Sequence, residues 1–381
     1  MNYLFNYPDV LKIKEAIFYD VASIPLPVPF KDGTGGIRHA SFFQGWLKVY
    51  DEDGFCGQGP ASRIMVDFFV PRLLEQGGKT NSEWTHYFWW EIRNFGYQSP
   101  YVAEMFNLDW ILLDLLANRA QKPLHRFLGA TKDWASVYKG GGSVLLSDEA
   151  LLDDLLRFKS EGFKITKFKI GGNGNDWSAD VRRLEKARLA LGDDFGIAVD
   201  ANQAWDADTA FEFAKAAAPY NVEWFEEPVH AFDMEALRSL RDQMDNAGIS
   251  MEIAMGESVR SYHAHVDYAE HGVDHLQPAR LYCLAEIMRV RDYAHQHNCR
   301  ISTGGFPFIN AALGALYSEN ELLEFHQPLN EVLIPYFKVV SQIKDGRFYL
   351  PDIPGIPVQL DFDHLETDGL LRGIQYYYRK K

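Results

Sequence analysis

Three acidic residues, Asp200, Glu226 and Glu257, stand 26 and 31 residues apart. Each closes a short apolar run and is followed by a turn and a helix-like stretch, in "GIAVDANQAW", "VEWFEEPV" and "EIAMGESV". That spacing is the length of one strand–helix unit of a parallel α/β barrel. Successive strands of such a barrel lie side by side and open their C-terminal ends on one face, so the three acids converge. Like charges held that close need a counter-ion, and oxygen-only ligation with open positions suits Mg²⁺. Each acid also has an ordinary reading: Asp200 as a helix cap, Glu226 in a solvated loop before Pro228, Glu257 paired with Arg260. Three in succession at strand ends are hard to account for without a metal.

The surrounding pattern fits the barrel. From about residue 136 short runs recur at "SVYKG", "ITKFKIG", "IAVD", "VEWFEE", "EIAMGE", "VDHLQP", "RISTGG" and "LLEFHQ". Helical stretches lie between them, among them 149–159, 180–191 and 207–217. Strands alternating with helices imply right-handed crossovers and a parallel sheet, which closes at about eight units. An open doubly wound sheet is the competing topology. Residues 1–130 read differently, as an α+β domain. It holds a hairpin around Asp51–Gly54 and a helix with Leu108, Ile111, Leu112, Leu115 and Leu116 at helical spacing, ended near Pro123 and Gly129. The barrel spans 131–330. The Pro-rich segment 331–381, with "LPDIPGIPVQLD", reads as an extended return that covers the first domain.

Lys167 and Lys169 in "ITKFKIGG" share one face of a strand, while Phe168 and Ile170 take the other. With the aromatic face against the helices, both lysines point into the barrel. A second ammonium and partial burial each lower a lysine pKa, which suits a general base. The ordinary reading is a surface strand with two solvated lysines; the following Gly171–Gly172, typical after a barrel strand, weighs against it.

Charge and cysteines narrow the function classes. A net charge of −15 over 381 residues argues against a nucleic-acid surface. Three scattered cysteines (Cys56, Cys283, Cys299) fit a reducing compartment and neither a disulfide framework nor a zinc site. No signal peptide or bilayer-length apolar run is evident, so a cytoplasmic protein without membrane contact is expected. "GGNGND" lacks the third glycine of a dinucleotide fingerprint.

"KFKIGG", "VDANQAW", "WFEEPV" and "AMGES", in that order, resemble the successive barrel-strand motifs of the enolase superfamily, closest to its mandelate racemase and muconate-lactonizing branch. "NLDWILLDLLANRAQKPLHRFLGA" is similar to that family's helix leading into the barrel, and "LPDIPGIPVQLD" to its C-terminal return. The resemblance implies a modified (β/α)₇β TIM barrel under an α+β N-terminal cap completed by the C-terminal segment. It implies Mg²⁺ on Asp200, Glu226 and Glu257, with Asn202 beside the metal or substrate. Lys169 would take a proton α to a carboxylate, giving a metal-stabilised enediolate, with Lys167 lowering its pKa or orienting the substrate. The partner is a small-molecule carboxylate. Relatives often assemble symmetrically, so a homo-oligomer is open to the chain.

Two positions depart from the family's pattern. After the sixth strand, where relatives carry Asp or Lys, the chain has Ala279 followed by Arg280. After the seventh, Ser302 or Thr303 stands where a His falls. Two-base racemisation needs a base on each substrate face, whereas elimination needs one base and an acid. The expected reaction is therefore dehydration of a hydroxy or sugar acid; racemisation, epimerisation or cycloisomerisation is the alternative, and a non-catalytic metal- or carboxylate-binding relative is a third reading. Tyr138, Lys139, Arg280, Glu324 and His326 are candidates for the missing acid. Lys139, Arg280, Thr303 and Glu324 join Asn202 as expected substrate contacts. The cap loop "PLPVPFKDGTGGIRHASFF", with Lys31, Arg38 and His39, reads as a lid over the site.

Overall fold

The computed structural model describes residues 4–339 and 341–380. Eight parallel strands close into a barrel: Trp134–Gly141, Ile165–Lys169, Gly196–Asp200, Val222–Glu226, Glu252–Met255, His275–Leu276, Arg300–Thr303 and Leu322–His326. The last pairs with the first, which completes the ring and excludes the open sheet. Seven helices link the eight strands, the (β/α)₇β arrangement. Several start on the side-chain caps expected of their sequence. Ser147 accepts from the Ala150 N–H, Asp206 from Thr209, Asp233 from Ala236 and Ser261 from Ala264. Inside the barrel Tyr138, Ala198, Trp224 and Ala254 form a small buried plug. A barrel core filled by side chains leaves room for a site only at its open end.

The cap is built on a four-stranded antiparallel sheet. The strand Ile13–Val21 lies between Gly45–Asp51, paired in turn with Cys56–Pro60, and Leu371–Tyr378 from the C-terminal segment. The hairpin turns near Asp51–Gly54 as the Asp-Gly signal indicates. The 20-residue helix Pro100–Arg119 packs on this sheet and buries Leu108, Ile111, Leu112, Leu115 and Leu116. The "LPDIPGIPVQLD" segment is pinned to that helix: Asp114 accepts from the backbone N–H of both Gln58 and Ile356, at 2.7 Å each. The strand Leu371–Tyr378 has no clear sequence signature. Its side chains alternate between half-buried and exposed, because it is an edge strand with no buried apolar face of its own. No helix among the described residues is long and apolar enough to cross a membrane, and Cys56, Cys283 and Cys299 are free.

Candidate active site and metal centre

The open end of the barrel and the cap enclose a cavity of about 650 Å³ whose wall includes Lys169, Asn202, Glu257, Arg280 and Glu324. Asp200 and Glu226 end the third and fourth barrel strands, in register with one another, and Glu257 follows the fifth. One carboxylate oxygen from each lies within 4.8 Å of the others. Asp200 and Glu226 are fully buried. Burial pushes the Glu226 carboxyl well above its usual range; Lys167 pulls it down, and Asp200, Glu257 and Glu324 add to the rise. Burial and then Asp200 likewise raise Glu257. Three oxygen donors crowded at a strand-end cluster, two of them charged only against such a rise, fit a hard divalent cation.

The two lysines point into the barrel from the second strand, as its alternation predicts, while Phe168 is buried on the helix side. Lys167 donates to Glu226 and lies 3.3 Å from Asp200 and 3.1 Å from Glu324. Lys169 donates to Asp200 Oδ2 at 2.5 Å. The expected downward shift of these amines is not what this geometry produces. Burial does lower both, but Glu226 and Glu324 hold Lys167, and Asp200 holds Lys169, above the ordinary lysine range. The same carboxylates that would hold a cation therefore hold these protons.

Asn202 and Gln203 both adopt left-handed backbone (φ +45° and +66°), which folds the chain back after the third strand. The Asn202 N–H then donates to Asp200 Oδ1 at 2.9 Å, and its Nδ2 to Glu257 at 3.5 Å. Its side-chain oxygen is buried and unbonded. Glu324, on the eighth strand, faces the cavity against Gly140. A Cβ on Gly140 would lie 2.2 Å from Glu324 Oε1, so only glycine leaves room for that carboxylate. Burial raises the Glu324 carboxyl, but Lys167 brings it below its usual range. His326 also lines the cavity; its ring lies edge-on to Phe30 at 4.9 Å, and its Nδ1 has no partner.

Two expected substrate contacts lie elsewhere. Lys139 is on the outward face of the first strand, buried among Phe158, Phe163 and Phe325, and paired with Glu331 at 2.6 Å and Glu161 at 3.2 Å. Alternation explains the correction: its neighbour Tyr138 takes the inward position and joins the plug below the site. Thr303 bonds the Tyr317 hydroxyl at 2.7 Å and is not part of the cavity wall. Ser302 points inward but bonds His275 at 2.8 Å, beneath the cavity.

The cap loop is docked. Thr34 donates to the Asn202 carbonyl at 2.8 Å, and the Lys31 N–H to Ser143 at 2.9 Å. A Cβ on Gly33 would meet the Ala201 carbonyl oxygen at 2.4 Å and that of Ile170 at 2.6 Å, so the loop tip closes backbone against backbone. Arg38 lines the cavity, paired with Asp32 at 3.1 Å; Lys31 and His39 do not.

Sequence reasoning passed over several wall residues. Glu104, Asn107 and Trp110 come from the cap helix, where they read as part of its ordinary polar and apolar faces. Glu227, Gln203 and Ser258 form a bonded set behind the triad, with Gln203 Nε2 3.1 Å from Glu227 and 2.9 Å from Ser258. Arg260 does not pair with the Glu257 carboxylate; its Nη1 donates to the Glu257 and Val259 carbonyls at 2.5 and 3.1 Å.

Comparison with known proteins agrees with this architecture. The chain is similar to the L-talarate/galactarate dehydratase of Salmonella typhimurium, 29% identical over 271 residues. That match covers 70% of this chain and 65% of that protein, just under two thirds of its length. It is also similar to the 3,6-anhydro-alpha-L-galactonate cycloisomerase of Streptomyces coelicolor, 28% identical, covering 92% of this chain and 98% of that one. Among solved structures, a racemase from Streptomyces coelicolor with bound magnesium shares the fold, with a TM-score of 0.81 and 24% identity over 94% of this chain and 99% of that one. Residues 150–364, more than half of the chain, match the family model described as Enolase C-terminal domain-like. A closed eight-stranded barrel with its acids on consecutive strand ends is thus the expression of a shared ancestry: the chain belongs to the mandelate racemase and muconate-lactonizing branch of the enolase superfamily.

Proposed function

We propose that the chain is a Mg²⁺-dependent enzyme that removes the proton α to the carboxylate of a hydroxy or sugar acid and dehydrates it. The observation that carries this reading is Lys169: an amine in the cavity wall, bonded to the metal-ligand candidate Asp200. Asp200, Glu226 and Glu257 would hold the ion, which when bound stabilises the negative charge that develops on the substrate carboxylate as the proton leaves. Asn202, with its free side-chain oxygen, orients a substrate hydroxyl or a water beside it.

Lys169 takes the α proton as the free amine, so the proton that Asp200 holds on it must first leave. The electron pair of the C–H bond forms a C=C bond as the β C–O bond breaks. The hydroxyl leaves with a proton as water, and the resulting enol takes up a proton at C3 and loses that of its C2 hydroxyl to give a 2-keto-3-deoxy acid. Lys169, now an ammonium, would carry the proton to the leaving hydroxyl; Glu324 and His326 line the same cavity, but Lys167 disfavours the protonated form of Glu324 and burial that of His326. Ala279 carries none. The docked cap loop excludes water from the reacting carbon. A reducing compartment such as the cytoplasm is the reading that three unpaired cysteines support.

The near full-length match to a cycloisomerase supports a second reading, in which the same α-proton step starts an internal elimination or ring opening. One experiment tests both. The protein is incubated with Mg²⁺ and a panel of sugar acids in D₂O, and α-exchange and products are followed by NMR. A 2-keto-3-deoxy acid supports dehydration; an isomer of unchanged mass supports cycloisomerisation. No exchange on any acid rejects the α-proton chemistry.

A further inference from the structure

Two guanidiniums in the cavity wall, those of Arg260 and Arg280, make no salt bridge within 4.0 Å among the described residues; Glu257 acts on both from farther away, with Glu227 on Arg260 and Glu104 on Arg280. Arg280 follows Ala279 after the sixth strand and lines the cavity, where its side chain remains open to water although protein packs around it. It has no hydrogen bond and no carboxylate within 4.0 Å among the described residues. Its nearest acids, Glu104 and Glu257, act on it from beyond that distance. Each is otherwise placed: Glu104 accepts from the Ser62 N–H at 3.3 Å, and Glu257 belongs to the triad. Arg260 uses a single nitrogen, on two neutral carbonyls. Both side chains line the same cavity.

Other arginines of this chain show how a guanidinium is ordinarily satisfied. Arg188 donates to four backbone carbonyls. Arg291 makes a two-pronged pair with Glu321, at 2.7 and 2.9 Å. Arg38, across the same cavity, is neutralised by Asp32. Two cations lining one partly desolvated cleft without a direct ion pair leave donors to be filled, and a guanidinium fork matches carboxylate or phosphate oxygens two at a time. Ala279, next to Arg280 in the chain, contributes only a methyl group to the cavity wall.

We propose that Arg260 and Arg280 form a subsite for a second anionic group on the substrate, carboxylate or phosphate, at the end away from the carbon that faces Lys169. The substrate is then a sugar diacid or a phosphorylated sugar acid, and a neutral-ended monoacid is a poor one. This rests on the α-proton chemistry proposed above and adds the substrate class to it.

The test compares matched acids on the Mg²⁺-loaded protein: galactonate, galactarate and a 6-phosphorylated hexonate, each read as kcat/KM for α-exchange in D₂O. The wild type is expected to favour one of the two doubly anionic acids over galactonate by about tenfold or more, the size of a charge-assisted hydrogen bond. Which of the two is favoured tells carboxylate from phosphate. In Arg280→Gln that ratio should fall toward one, mainly through KM, with Arg280→Lys recovering part of it. Calorimetric titration of the wild type with the same acids needs no variant and should rank them alike. Exchange with galactonate as fast as with both doubly anionic acids overturns the subsite while leaving the α-proton chemistry standing. An undiminished ratio in a folded Arg280→Gln protein also overturns it. Absence of exchange on every acid rejects the underlying chemistry instead.

Discussion

Lys169 and Asp200 face one another across two adjacent parallel strands, paired in register, with Nζ 2.5 Å from Oδ2. The ladder that aligns their backbones thus fixes the amine against a metal-ligand candidate without help from any loop. Replacing Lys169 by Ala is expected to lower α-exchange by roughly 10²-fold or more, the usual contribution of a positioned base. Lys167 remains 3.3 Å from Asp200 to hold that carboxylate, so circular dichroism and thermal melting should report a folded protein. Exchange at the wild-type rate in that variant would remove Lys169 from the mechanism.

The carboxylate cluster predicts a response to Mg²⁺ that needs no substrate. An ion bound only by the folded protein stabilises it by mass action, about 2.7 kcal/mol at a hundredfold excess over Kd. Addition of Mg²⁺ should therefore raise the Tm, and a chelator should reverse the rise. Glu257→Gln should abolish that shift. An unchanged shift would mean that the ion binds elsewhere.

Lys139 separates structure from catalysis. Its ammonium is buried among aromatic rings and paired with Glu331 and Glu161. Lys139→Met is expected to cost about 3 kcal/mol in urea unfolding, because a carboxylate is left facing a buried site without its partner. The KM of the folded variant should stay within about twofold of wild type, since surface and structural changes away from a site leave uniform binding intact. A large KM change would return Lys139 to the substrate.

Acid should remove a stabilising contribution of Glu321 at the far end of the barrel. Burial raises this carboxyl, but Arg291 and the Ser318 N–H outweigh it and hold it down at about 2, below the value of 4.5 it takes when unfolded. A depressed carboxyl stabilises the fold above its unfolded pKa, and that contribution disappears as pH falls from 4.5 to 2. Glu321→Gln should accordingly be less stable than wild type at pH 6 and converge with it near pH 2. A constant gap across that range would show that the pairing with Arg291 carries no such linkage.

The catalytic half of the molecule was largely legible because barrel strands obey a short-range rule. Side chains alternate, so Lys167 and Lys169 turn inward together; strand ends cluster, so Asp200, Glu226 and Glu257 meet. Lys139 was expected at the site from its place at the end of the first strand; alternation turns it outward, because its neighbour Tyr138 holds the inward position. Thr303 was expected from the family position it shares with Ser302; Ser302 faces in and Thr303 bonds Tyr317. The direction of the lysine shifts depended on distances to Asp200, Glu226 and Glu324, which arrive from other strands and which no local pattern encodes. Arg260 was legible as a neighbour of Glu257 but not as a donor to its main chain. The edge strand Leu371–Tyr378 has too little buried apolar surface to stand out; its partner Ile13–Val21 is some 350 residues away along the chain.

The tip of the cap loop, where Gly33 rests against two carbonyl oxygens, has a consequence for how selectivity can evolve. A latch fastened by close main-chain approach and by two hydroxyls, those of Thr34 and Ser143, takes no part of its hold from whatever molecule lies beneath it. Discrimination is left to the fixed walls, so new preferences can be acquired by exchanging single side chains there while the door and its timing are inherited unaltered.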